Sequence, residues 1–163
     1  MLHKAAGCAS AEIIELLIKH GANKEEHSDK TLETPIFCAV EHNNDEAFAA
    51  LENHNVDMSV RNAYGETLAH RAILARNGKV LRQLISDGII DVDCQSANEE
   101  TLLHYSAGAY KVEMTEFLLD MGANPCRRNK YNETPWDHAG RRGNSTTLEV
   151  LQKRFGPAPL ALH

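Results

Sequence analysis

Apolar residues occur along this chain in short stretches with the spacing of a helix. Residues 13–18, 80–85 and 114–119 each place large apolar side chains three or four positions apart, and a glycine follows each stretch. Such spacing predicts an amphipathic helix, and the glycine predicts where that helix ends. Pairs of small or apolar residues at 5–6, 39–40, 72–73 and 106–107 predict a shorter helix ahead of each long one.

These helix pairs belong to an internal repeat. Four tetrapeptides recur at spacings of 33, 34 and 33 residues: Thr34-Pro35-Ile36-Phe37, Thr67-Leu68-Ala69-His70, Thr101-Leu102-Leu103-His104 and Thr134-Pro135-Trp136-Asp137. Residues 2–6 have the same form without the threonine. A second mark keeps the same phase: Gly21-Ala22-Asn23, Asn55-Val56-Asp57, Gly88 and Gly122-Ala123-Asn124. Two marks in constant phase predict stacked repeats of one supersecondary unit.

The third part of each unit is polar and resembles a tight turn. Residues 62–65, 96–99 and 129–132 lie between the second mark and the next threonine. Gly65 and Asn132 tolerate positive φ, which the tip of such a turn requires. Each unit is therefore predicted to run helix, helix, projecting turn.

With these motifs the chain resembles the ankyrin repeat family. The resemblance implies an all-α solenoid of about five helix-turn-helix units with projecting β-turn loops. We expect one array over 1–155, with units near 1–33, 34–66, 67–100, 101–133 and 134–155, and a flexible tail over 156–163. Departures from the family pattern are Phe37 and Asp137 for histidine, Asn55 for the helix-ending glycine, and Leu32 and Glu99 at turn-glycine positions.

Charge and composition narrow the function classes. The formal net charge of −6 argues against a protein that binds nucleic acid by neutralising phosphates. Acidic residues are in excess over 1–66 and basic residues over 134–163, which either orients a partner or is only a solvated pattern. No apolar run is long enough for membrane insertion. The four cysteines form no CxxC pair, which predicts reduced thiols and an intracellular location, cytoplasmic or nuclear.

Motifs of catalysis and cofactor binding are missing from the sequence. It contains no G-x-S-x-G, no phosphate-binding glycine loop and no H-E-x-x-H. A thiol nucleophile at Cys8 or Cys38 was weighed against a small core cysteine, the commoner state. The histidines lack metal-ligand spacing. His3, His70 and His104 share one repeat position, where the resemblance implies a structural imidazole that hydrogen-bonds loops together. We predict a protein that is not an enzyme, with no metal, no cofactor and no small-molecule substrate.

Two surface features leave alternatives open. Tyr64 and Tyr131 occupy the same turn position in two units, either as anchors for a partner or as rings packed on a neighbouring turn. The basic residues 127, 128, 130, 141 and 142 either meet an acidic peptide or phosphate, or form solvated surface.

The resemblance implies a module that binds another protein or peptide through a concave face of first helices and turn tips, as an inhibitor or adaptor in signalling. The alternative is a targeting or substrate-recognition module cut from a larger enzyme, channel or effector, which the start in mid-motif at Met1 favours. Carried over by position, the candidate partner contacts are Lys30, Thr31, Glu33, Cys38, Glu41, His42, Ala63, Tyr64, Glu66, Arg71, Leu74, Ala75, Ala97, Asn98, Glu100, Tyr105, Lys130, Tyr131, Glu133, His138, Arg141 and Arg142.

Overall fold

The computed structural model of the chain describes residues 1–109 and 111–156. The helices in this part are α1 Leu2–Cys8, α2 Ala11–Lys19, α3 Pro35–Glu41, α4 Asp45–Asn53, α5 Leu68–Leu74, α6 Gly78–Ser86, α7 Leu102–Gly108, α8 Val112–Asp120, α9 Pro135–Arg142 and α10 Ser145–Phe155. Apart from a single bridge between Gln95 and Thr101, the described residues contain no β-structure. The prediction of an all-α fold of about five helix pairs is confirmed.

Each first helix from α3 onward begins directly after the threonine that marks its unit. At Thr67 and Thr101 the backbone N–H and the hydroxyl contact the Nδ1 atom of the histidine three residues later, which forms a capping box. Asp137 does the same for Thr134. Phe37 stands at this position in α3, and the buried Thr34 hydroxyl consequently has no hydrogen-bond partner among the described residues.

The left-handed backbone positions follow the repeat marks even where glycine is replaced. Leu32, Asn55, Glu99 and Asn132 have φ values of 54°, 52°, 60° and 62°. At these positions the residue differs from glycine, but the left-handed backbone conformation is retained. A leucine or glutamate in this conformation costs free energy because its Cβ crowds the backbone.

Replacing Glu99 with glycine is expected to raise the free energy of unfolding by about 1 kcal/mol, because glycine adopts positive φ without this crowding. Ala97→Gly in the same turn is the matched control. Ala97 does not have positive φ, so glycine there only adds entropy to the unfolded chain and is expected to destabilise. Urea unfolding of both variants checks this, and a loss of stability with Glu99→Gly would contradict it.

Two compact units divide the chain: one spans Met1–Ile89 and holds α1 to α6, and the other begins at Ile90 and holds α7 to α10. In the first unit α1 packs on α3, α3 on α5, and α2 on α4. In the second, α7 packs on α8 and α9, and α10 packs on α8 and α9. The expected single array over 1–155 stays a prediction. The expected flexible tail lies outside the described residues except for Gly156.

Small residues of the first helices lie in the core, as predicted. Ala6, Ala39, Ala72 and Ala107 are fully buried. The apolar face predicted for α2 differs: Ile14 is buried, whereas Ile13 and Leu16 are about half exposed. In the described residues no helix is both long and apolar enough to cross a membrane.

Candidate functional site

The turn tips of the two compact units are held in one conformation by asparagine side chains. In the first unit, Asn62 Oδ1 accepts hydrogen bonds from the backbone N–H groups of Tyr64 and Glu66, both at 3.0 Å. In the second unit, Asn129 Oδ1 accepts from Tyr131 and Glu133, also at 3.0 Å. Both asparagines are buried. These hydrogen bonds to buried side chains therefore hold the turns in place and fix the backbone of each tyrosine.

Tyr64 and Tyr131 project from these pinned turns with exposed fractions of 59% and 60%. Their exposure means that neither ring is buried against a neighbouring turn. Lys130 Nζ lies 5.3 Å from the centre of the Tyr131 ring, within the range of a cation–π contact. Neighbouring turns are joined by the backbone instead: Ala63 N–H donates to the Thr31 carbonyl, and Lys130 N–H donates to the Asn98 carbonyl.

Arg71 of α5 lies between the glutamates that end two successive turns. Its guanidinium contacts the Glu33 carboxylate closely and reaches Glu66 Oε2 at 3.4 Å and Glu41 Oε1 at 3.7 Å. The exposed fraction of the side chain is 16% for Arg71 and 11% for both Glu33 and Glu66. Asn62 Nδ2 adds hydrogen bonds to Glu66 at 2.8 Å and Glu33 at 3.3 Å. Arg71, Glu33 and Glu66 therefore form a nearly buried charge cluster with two carboxylates and one guanidinium.

Two of the predicted partner contacts, Glu33 and Glu66, are buried in the structure. Both were expected to face a partner, but their carboxylates are occupied by Arg71 and Asn62 inside the unit. Their role in the structure is to hold the turn against the next helix. Arg71 is likewise mostly buried and presents little of its guanidinium to solvent.

The second unit has the same arrangement with histidine in place of arginine. His138 of α9 has Nε2 3.3 Å from Glu100 Oε1 and 3.3 Å from Glu133 Oε2. Arg141, one helical turn later, contacts Glu133 Oε2 at 2.7 Å. These four side chains, Tyr131 and Arg142 line a cavity of about 390 Å³.

The Glu133 carboxylate is held in its ionised form. Burial acts to raise its pKa, but hydrogen bonds from Asn129 and Arg141, together with the charges of Arg141 and His138, outweigh burial and lower the pKa below its usual range. In Asp137 burial likewise acts to raise the pKa, and the hydrogen bonds from Thr134 lower it overall.

The predicted structural role of the repeat histidines is confirmed by their hydrogen bonds. His3 Nε2 donates to the Glu33 carbonyl at 2.8 Å, and His104 Nε2 donates to the Glu133 carbonyl at 3.0 Å. Each imidazole thus ties its helix to a distant turn. His70 and His104 are fully buried. Burial lowers the pKa of His104 to about 4, with a smaller lowering from His138, while the Glu133 carbonyl acts to raise it.

The remaining predicted contacts fall into two groups by exposure. Those exposed besides the tyrosines are Lys30, Glu41, His42, Ala63, Leu74, Ala97, Lys130, Arg141 and Arg142. Those partly buried are Thr31, Cys38, Ala75, Asn98, Glu100, Tyr105, Glu133 and His138. The exposed group includes one large apolar residue besides the tyrosines, Leu74.

Two features of the described residues concern metal binding and thiol reactivity. No group of three or more His, Cys, Asp or Glu side chains in this part of the chain has the geometry to hold a metal ion. Burial, together with the smaller effect of the charges of Glu33 and Glu41, raises the pKa of the Cys38 thiol to about 11, although the charge of Arg71 acts to lower it. Cys38 is therefore a thiol at neutral pH and a poor nucleophile.

Sequence reasoning missed two parts of this site. One is the pair of turn-pinning asparagines, Asn62 and Asn129. The other is the placement of Arg71 and His138 between successive glutamates. A signal for the second was present, because a glutamate precedes every marking threonine, at 33, 66, 100 and 133, and the two cations lie four residues after a threonine.

Known proteins share this repeat. A family profile described as "Ankyrin repeats (3 copies)" matches residues 2–93 and 69–158, which together cover nearly the whole chain. The chain belongs to the ankyrin repeat family. Ankyrin repeats are in general protein-interaction modules.

Individual relatives are much longer than this chain. The human transient receptor potential cation channel subfamily A member 1 is 29% identical over 95% of this chain and 14% of its own length. The Danio rerio neurogenic locus notch homolog protein 1 is 26% identical over 77% of this chain and 6% of its own length. The Dictyostelium discoideum NAD-dependent deacetylase sir2B is 27% identical over 55% of this chain and 12% of its own length. The chain thus spans a small fraction of each relative.

Proposed function

We propose that this ankyrin chain is a non-catalytic module that binds a segment of another protein through its turn tips and first helices. The observation that carries the proposal is the exposure of Tyr64 and Tyr131 on turns that asparagines hold rigid. Tyrosine buries a large area with few rotatable bonds, and a fixed backbone lowers the entropy lost on binding. Each compact unit also has an exposed first-helix residue, Leu74 in the first and Arg141 in the second.

Absence of catalytic function is part of the proposal. Cys38, the cysteine among the predicted partner contacts, has a raised pKa, which opposes nucleophilic chemistry. The histidines of the repeat position are occupied by hydrogen bonds to threonines and carbonyls. None of the four cysteines forms a disulfide bond, which supports a reducing intracellular compartment. An adaptor or inhibitor role in signalling is a further proposal consistent with this surface.

The test is affinity capture from cell lysate with the wild type beside a Tyr64→Ala/Tyr131→Ala variant. The partner retained by the wild type is expected to bind the variant at least tenfold more weakly, because tyrosines at such positions are typical binding hot spots. Circular dichroism is expected to show equal helix content, since both rings are exposed.

A Leu16→Ala/Met121→Ala variant is the matched control. Both side chains are exposed and apolar but lie away from the turn tips. Retention by this control and loss by the tyrosine variant would support the proposed surface. Equal retention by all three proteins would show that the turn tips are not the interface. Loss only in the control would move the interface to the second helices.

A second candidate is a recognition module inside a longer protein. The observation that favours it is the small share, 6–14%, of each relative that this chain spans. An antibody raised against the chain would separate the two proposals on an immunoblot of native tissue. A band well above 18.1 kDa would support the second candidate, and a band at that mass would contradict it.

A further inference from the structure

The two compact units hold equivalent glutamate pairs that differ in what lies between them. In the first unit the pair is Glu33 and Glu66, and the guanidinium of Arg71 lies between them. In the second unit the pair is Glu100 and Glu133, and the imidazole of His138 lies between them. Arg71 and His138 occupy the same helix position, four residues after a threonine.

Histidine does not reproduce what arginine supplies in this position. Its side chain is shorter, it presents fewer donors, and it carries a full charge only when it is protonated. The site of His138 opens on a cavity of about 390 Å³. This space is about the lower size limit of a ligand pocket in proteins.

The side-chain hydrogen bonds of the turns that end in these glutamates also differ between the two compact units. Asn62 donates its side-chain amide to Glu66, and Asn129 donates its amide to Glu133. The turn before the first glutamate of each pair has a serine instead, and Ser28 Oγ hydrogen-bonds with Thr31 Oγ1 at 2.7 Å. The buried Ser96 hydroxyl has no hydrogen-bond partner among the described residues. The second unit therefore combines a cavity, an imidazole at the position that arginine holds in the first unit, and, outside the cavity lining, a buried hydroxyl without a partner among the described residues.

We propose that this cavity receives an arginine side chain from the partner protein, which lies between Glu100 and Glu133 beside His138 as Arg71 lies between the glutamates of the first unit. Carboxylates bind guanidinium groups with strong, directional hydrogen bonds. Tyr131 forms part of the wall, and an aromatic ring adds a favourable cation–π contact. The proposal rests on the protein-binding role proposed above and names the chemistry of one contact.

Arg141 is compatible with this occupant. Arg141 contacts Glu133 at 2.7 Å, but its side chain is 57% exposed, and such exposed ion pairs are weak. Arg141 can thus give way to a second guanidinium at low energetic cost. An acidic occupant would instead have to compete with Glu133 for Arg141, and it would face the charge of Glu100 at close range.

The probe is the peptide acetyl-Gly-Gly-Arg-Gly-Gly-amide, added to the whole chain and followed by NMR at the ring signals of His138 and Tyr131. Its neutral counterpart contains citrulline in place of arginine. The arginine peptide is expected to give saturable shifts with a dissociation constant on the order of 1 mM, typical of a single buried contact. The citrulline peptide is expected to give none.

Two variants test the site itself. His138→Arg places a guanidinium of the chain between the glutamates, as in the first unit, and is expected to abolish the shift of Tyr131. Glu100→Gln removes one carboxylate and is expected to weaken binding at least fivefold. Glu113→Gln, an exposed charge change on α8, is the control and is expected to leave binding unchanged. Amide spectra of all variants report whether the fold is kept.

Several outcomes would overturn the inference. They are equal shifts with citrulline, undiminished binding by His138→Arg, and a preference for a glutamate peptide over the arginine peptide. Failure here is distinct from failure of the proposed function. If a captured partner depends on Tyr64 and Tyr131 while the arginine peptide does not bind, the module stands and the arginine pocket is wrong. If the peptide binds but no partner depends on the tyrosines, the pocket stands and the turn-tip surface is wrong.

Discussion

Arg71→Ala is expected to lower the free energy of unfolding by about 3–5 kcal/mol, the range for removing one partner of a buried ion pair. The loss comes from the carboxylates of Glu33 and Glu66, which remain nearly buried and face each other without the guanidinium. Asn62 still donates to both, but an amide does not neutralise their charge.

Repulsion between the two remaining carboxylates, buried without a cation, is the expected source of the instability of the Arg71→Ala variant. Removing one of the two charges by a second change, Glu33→Gln, is expected to recover part of the loss at pH 8.

Lys79→Ala is the matched control for Arg71→Ala. Lys79 and Asp45 form an ion pair at 2.7 Å in the same compact unit, but both side chains are exposed. Exposed pairs contribute at most about 1 kcal/mol, so this variant is expected to unfold almost like the wild type. Urea unfolding at pH 8 checks all variants. A loss below about 1 kcal/mol for Arg71→Ala would show that water solvates the glutamates well enough without it.

Acidification from pH 6.5 to pH 4 is expected to remove about 3 kcal/mol of stability through His104 alone. Burial lowers the pKa of this imidazole to about 4 in the folded protein, against an ordinary value of 6.5 in the unfolded chain. Since the folded pKa is the lower one, the unfolded state takes up the proton first. Stability is therefore complete above pH 6.5 and falls steadily towards pH 4.

The hydrogen bonds around His104 explain why it resists protonation. The Thr101 N–H donates to Nδ1 at 3.1 Å, so this nitrogen must keep its lone pair. Nε2 carries the proton and donates it to the Glu133 carbonyl. A proton on Nδ1 would place two donors against each other in a fully buried site and break the capping box of α7.

His104→Gln separates this effect from other acid effects. The variant is expected to be less stable at pH 7, because its side chain cannot make both contacts, but its stability is expected to change much less between pH 6.5 and 4.5. His20→Gln is the control, since His20 is exposed, and it is expected to keep the wild-type slope. The carboxylates with lowered pKa values, Glu133 and Asp137, lose their contribution only at lower pH. Equal slopes for His104→Gln and wild type would contradict the prediction.

The sequence by itself determined the features that depend on local backbone requirements. The threonine before each first helix predicted the helix start, because threonine is a preferred N-cap residue. The phase of the repeat placed Leu32, Asn55 and Glu99 at glycine positions of the family pattern, and all three have positive φ in the structure. The structural role of His3 and His104 followed from their position in the repeat. Each of these features depends on a few neighbouring residues or on the regular length of the repeat.

The tertiary structure alone decided which side chains of the candidate surface face solvent. Glu33 and Glu66 looked like surface residues by position, but Arg71, 38 residues after Glu33 in the chain, comes close enough to occupy both. The cavity beside His138 likewise depends on Glu100 of one turn and Glu133 of the next meeting the same helix. Such contacts form only when successive repeats within a compact unit pack together. Position in the sequence does not reveal them, because the free energy of a buried charge depends on all the groups that surround it. Exposure of Tyr64 and Tyr131 was open in the sequence for the same reason, since a turn tyrosine packs or projects according to the turn beside it.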